Sequence, residues 1–98
     1  MTKSEKFNKT IKKIVENKGA KNISHNEWEI DTKHGKLNIS LHEPKKRQKL
    51  FSVFTRFNEP ERAKQHTHCN PHSGKWNFHI TDMDKCVNIF QSSLEKIL

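Results

Sequence analysis

Two short runs of alternating apolar and polar residues, joined by a glycine-containing turn, constrain this chain more than any other feature. Trp28 and Ile30 alternate with Glu27, Glu29 and Asp31; Leu37, Ile39 and Leu41 alternate with Lys36, Asn38, Ser40 and His42. A period of two places each apolar set on one face of a strand. Lys33-His34-Gly35 reads as the hairpin turn between them, with Gly35 supplying a positive φ. On the polar side an acidic strand then faces a Lys/Asn/Ser/His strand, so cross-strand charge pairing is expected.

Further runs complete the pattern. Leu50 to Phe57 reads as a third strand with imperfect alternation: Phe51, Val53 and Phe57 point one way, Leu50, Phe54 and Arg56 the other, so Phe54 is expected to be partly exposed. Trp76, Phe78 and Ile80 alternate with Lys75, Asn77 and His79 in a fourth. Helical periodicity brackets the strands. Phe7, Ile11, Ile14 and Val15 form one stripe, with Lys6, Lys9 and Lys13 opposite. Thr2 and Glu5 fit a capping box, and Gly19 suits the left-handed position that ends a helix. The last helix starts at Thr81 or Asp82 and buries Cys86, Val87, Phe90, Leu94 and Ile97. The expected fold is α+β: a single two-layer domain over residues 1–98, in the order α-β-β-β-β-α, with an antiparallel four-stranded sheet and both helices on one face.

Two connections stand out. Glu43-Pro44-Lys45-Lys46-Arg47-Gln48-Lys49 is strongly basic and must stay in solvent. Asn58 to Gly74 spans 17 residues, long for a compact domain. A short helix is expected near its start, from Asn58 through Pro60 to Lys64.

The formal net charge is +8, and it is lopsided. Residues 1–49 hold thirteen Lys/Arg against six Asp/Glu, whereas residues 50–98 hold six against five. Such asymmetry points to a polyanionic partner. Only Arg47, Arg56 and Arg62 are arginines, and arginine is the better tool for bidentate recognition. No apolar run approaches a membrane span, and residues 1–18 lack the apolar centre of a signal peptide. With Cys69 and Cys86 as the cysteines, no disulfide framework is available. A cytoplasmic, reducing setting without membrane attachment is the expectation.

The densest group of chemistry-bearing side chains is His66-Thr67-His68-Cys69-Asn70-Pro71-His72. Imidazole and thiolate are natural zinc ligands, but structural sites draw ligand pairs from separated segments. Cys86, the distant thiol, belongs to a helix stripe. No metal or other cofactor is assigned; zinc on His66, His68, Cys69 and His72 stands as the alternative. His68, Asn77 and His79 carry the letters of a His-Asn-His nuclease, yet the final helix supplies no histidine ligand. Three glycines leave no phosphate-cradling loop.

The first helix, Lys18-Gly19-Ala20 and then Ser24-His25 loosely resemble HicA-type mRNA interferases over residues 7–42. That likeness implies His25 as the base for attack by a ribose 2′-hydroxyl. The sequence departs from the family where its glycine before Ser-His is Ile23. The stretches Val53 to Ala63 and Asn70 to His79 resemble small uncharacterised proteins of phages and mobile elements. This second likeness implies an accessory role near nucleic acid or nucleoprotein. A non-enzymatic binding module is therefore the primary expectation. Lys6, Lys9, Lys13, Lys36, Lys45, Lys46, Arg47 and Lys49 would contact phosphates, and Arg56, Lys75, Asn77 and His79 the bases of a single strand. The alternatives are an inhibitor or anti-defence factor binding a host protein complex, and a ribonuclease using His25. A monomer or a homodimer is compatible with each.

Overall fold

The structure is a computed structural model that describes residues 2–33, 35–44, 46, 50–58 and 78–98. Helix α1 spans Lys3–Asn17 and begins with the expected capping box, Thr2 accepting from the Glu5 N–H while the Glu5 carboxylate accepts from the Thr2 N–H. It ends at Lys18, followed by Gly19 at φ +94°, a conformation that a side chain would strain. Helix α2 spans Met83–Ile97, with Asp82 as its N-cap: the carboxylate accepts from the Lys85 N–H at 3.0 Å.

Five strands form one antiparallel sheet whose spatial order follows chain order: β1 Lys21–Ser24, β2 Glu27–Thr32, β3 Gly35–Ser40, β4 Phe51–Phe57 and β5 Phe78–Ile80. β2 to β5 are the four expected strands, and both helices pack on one face of the sheet as anticipated. The addition is β1. All four of its residues are exposed, so no apolar alternation marks it in the sequence. Turn chemistry makes it instead: His25 and Asn26 form a two-residue loop between paired Ser24 and Glu27, with Asn26 at φ +56°. The Asn22 amide donates to the carbonyls of Ser24 and Glu27, both at 3.0 Å. The register slips between Asn22 and Ser24, which leaves Ile23 bulged and 43% exposed.

The core lies between the layers. Phe7, Ile11 and Val15 of α1 and Cys86, Phe90, Leu94 and Ile97 of α2 cover Trp28, Ile30, Leu37, Ile39, Phe51, Val53 and Phe57 of the sheet. Cross-strand partners Trp28 with Ile39 and Leu37 with Phe57 show that these residues share one face. The irregular alternation of β4 has a simple cause. Thr55 is the buried inward residue between Val53 and Phe57, and Leu50 precedes the strand and is exposed. Each large apolar side chain fully buried here contributes about 1.5–3 kcal/mol.

Polar ties fix the layers against each other. Trp28 Nε1 donates to Glu16 of α1 at 3.3 Å, and the Lys33 N–H donates to the Ile97 carbonyl at 2.7 Å. Lys18 pairs with Glu95 at 3.2 Å, while Lys3 lines the same depression as Asp82, Met83 and Asp84. The helices therefore run in the same direction, side by side. Among the described residues no helix is long and apolar enough to cross a membrane.

Candidate nucleic-acid interface

The residues nominated from the sequence fall on opposite sides of this sandwich. At about 100° per residue, Lys6, Lys9 and Lys13 lie within about 60° of one another, diametrically across α1 from its buried stripe. All three are exposed. They form no ion pair with any described carboxylate. Glu5 accepts in the capping box and Glu16 from Trp28, and both carboxylates lie beside Lys9 on the flank of α1 that carries Lys12. Like charges three and four residues apart repel by a few tenths of a kcal/mol per pair. Lys6–Lys9, Lys9–Lys12 and Lys9–Lys13 are such pairs. Glu5, four residues before Lys9, and Glu16, three after Lys13, offset part of that repulsion.

Lys12 was not singled out by periodicity, and the structure adds it to the group. It is exposed on the flank of α1 that also carries Asn8. The Asn8 amide donates to the His42 carbonyl at 2.9 Å. The basic connector therefore leaves the end of β3 beside this flank, and Lys46 on it is exposed. Lys45, Arg47 and Lys49 lie outside the described residues. Asn8 was legible only as a polar residue at the edge of the stripe; its tie to His42 is a tertiary event that no local pattern encodes.

The outer face of the sheet has a different character. Lys36 is paired across β2–β3 with Asp31 and bonds Glu29 at 3.2 Å, and the hydrogen bond and charge of Glu29 raise its pKa. Asn38 donates to Glu27 at 3.3 Å. The cross-strand pairing expected from the sequence is present, and it neutralises Lys36. Arg56 is exposed opposite Asn38, beside a shallow depression of about 470 Å³ lined by Asn38, Arg56, Phe57 and Asn58. Phe54 is half-buried, its ring edge-on to His42 at 4.5 Å between centroids. His79 pairs in register with Ser52. Lys75 and Asn77 lie outside the described residues. The helix lysines and the open sheet face are consequently two surfaces, where the sequence reading had combined them into one.

His25 sits at the tip of the β1–β2 turn. Its Nε2 pairs with the Glu43 carboxylate, and the Asn26 amide lies 3.3 Å from the same nitrogen. A carboxylate from a segment distant in sequence thus stands beside His25. Both side chains are largely exposed, at 77% and 70%, so water weakens the pair. His66, His68, Cys69 and His72 lie outside the described residues. Among the described residues no group of three or more His, Cys, Asp and Glu side chains is arranged to hold a metal. Cys86 is buried, its Sγ 3.5 Å from the Phe51 carbonyl, and burial pushes its thiol up to about 11. It is a packing residue with little thiolate at neutral pH.

Comparison with protein-family models, curated proteins and solved structures returns no match to this chain. The functional reading therefore stands on the residues themselves.

Proposed function

We propose that this protein is a small non-enzymatic module that binds nucleic acid through the solvent face of α1. The observation that carries this reading is the exposed row Lys6, Lys9 and Lys13, which makes no ion pair with a described carboxylate. Lys3 and Lys6 also lie toward the N-terminal end of α1, where the helix dipole disfavours cations. A cationic row on the exposed face of a helix suits an anionic surface outside it. A polyanion would relieve their mutual repulsion and release its own condensed counterions.

The test is binding to a fluorescent 24-base-pair DNA duplex across a salt series. Affinity is expected to fall steeply with salt, with a log–log slope of about −0.9 for each phosphate neutralised. Replacing Lys6, Lys9 and Lys13 together by alanine should weaken binding about a hundredfold at low salt and flatten the slope by about three. Absence of binding by the unaltered protein at low salt would refute the reading.

A further inference from the structure

Beyond the helix face, we infer that the outer face of the sheet holds a second site, one that takes unpaired nucleotides of a single strand: a base on the exposed His42 ring and a phosphate at Arg56. It uses none of the residues of the α1 row, so either site can fail without the other. Asn38 pairs in register with Arg56 and Ser40 with Phe54, while Ile39, Thr55 and Phe57 are buried in the core. Asn38, Ser40, Phe54 and Arg56 therefore point away from the helices. The His42 ring reaches the same face, because it lies edge-on against Phe54.

This ring is a stacking platform fixed in advance. His42 is exposed, the half-buried Phe54 supports its imidazole at 4.5 Å between centroids, and Asn8 holds its backbone carbonyl at 2.9 Å. A ring already held loses little further freedom when a base lands on it. The cation lies two residues along β4 from that support, about 7 Å away. Arg56 is exposed and makes no ion pair with a described carboxylate. The depression beside it is lined by Asn38 and Asn58, and the Asn38 amide, which gives one N–H to Glu27, has a second. A planar guanidinium flanked by amides suits phosphate oxygens.

Carboxylates border this site and are already engaged. On β2, across β3 from Arg56, Glu29 bonds Lys36, Glu27 accepts from Asn38, and Asp31 is the cross-strand partner of Lys36. Glu43, next to His42 in the chain, is paired with His25. They confine an anionic strand to the β3–β4 side of the face. The ligand class follows from the pairing of ring and cation. A guanidinium alone would serve a carboxylate, but an exposed ring within a nucleotide's reach of it serves a base, and a duplex keeps its bases inside the stack.

The experiment uses the full chain carrying Lys6→Ala, Lys9→Ala and Lys13→Ala together, which removes the α1 row, with a fluorescent oligothymidylate and an abasic strand of the same length at low salt. The oligothymidylate should bind, and the abasic strand about tenfold less tightly. Adding His42→Ala should weaken oligothymidylate binding about tenfold and leave the abasic strand within about twofold. Adding Arg56→Ala should weaken both strands and lower the salt slope by about 0.7. If either variant does not fold by circular dichroism, His42→Leu or Arg56→Gln serves in its place with the same losses expected. Equal binding of the abasic strand, no loss of oligothymidylate binding from His42→Ala or from Arg56→Ala, or tighter capture of a polyglutamate peptide would each overturn the site. If the unaltered protein binds the duplex but the row-less protein does not bind oligothymidylate, this site falls and the α1 reading stands. Oligothymidylate binding here, with no duplex binding by the unaltered protein, sinks the α1 reading and supports this site.

Discussion

The solvent face of α1 and the outer face of the sheet carry similar residues to opposite effect. On α1, the helical repeat gathers Lys6, Lys9 and Lys13 and turns Glu5 and Glu16 to local tasks. On the sheet, antiparallel register sets Lys36 against Asp31 and within reach of Glu29. The row on α1 makes no ion pair with a described carboxylate, whereas Lys36 on the sheet is paired. Net charge alone is therefore a poor guide to where a partner docks: the geometry of the element decides which cations remain available.

The comparison presupposes two faces on either side of one tight core, and Cys86 at the seam tests that most severely. With burial raising its thiol from 9.0 to about 11, the thiolate fraction at pH 7.5 falls by about a hundredfold. Because the raised value favours the protonated form in the folded state, reactivity should return only as pH climbs toward 11 or on unfolding. Site-resolved alkylation by mass spectrometry should find Cys86 modified at least a hundredfold more slowly in the native than in the denatured protein. Rapid native labelling would mean that the layers are not packed as described. A smaller effect is expected at Thr2. Thr2→Ala removes the cap of α1 and should lower stability by about 1 kcal/mol in urea unfolding, with duplex affinity nearly unchanged while the helix persists. A large loss of affinity without loss of helicity would assign Thr2 a direct contact. The smallest effect belongs to Lys36. Its exposed pair with Glu29 is screened by water, so Lys36→Ala should leave stability nearly unaltered and duplex binding within about twofold. A drop in affinity matching that from the α1 row would erase the distinction between the faces.

Legibility in the sequence varied with how each element is held. β2, β3, α1 and α2 announce themselves because burial imposes a period, and the caps at Thr2 and Asp82 fall where hydrogen-bonding side chains must sit. β1 buries nothing, so only its turn pair His25-Asn26 could have signalled it. β4 was blurred by Thr55, a polar residue at an inward position. For the site, the lysine row was readable from spacing alone. The division of the nominated residues between two faces was not, because it depends on which layer covers which. Lys12 and Glu43 gained their roles only through contacts distant in sequence, Asn8 with His42 and His25 with Glu43.

The bulge at Ile23 has a consequence for how the protein behaves when crowded. β1 is a free margin of the sheet, a position from which a second chain could continue the hydrogen-bond ladder and seed insoluble aggregates. With Ile23 pushed out of register and the Asn22 side chain occupying backbone carbonyls of the turn, that margin offers a poor template. Copies held close together then have little tendency to zip into one another.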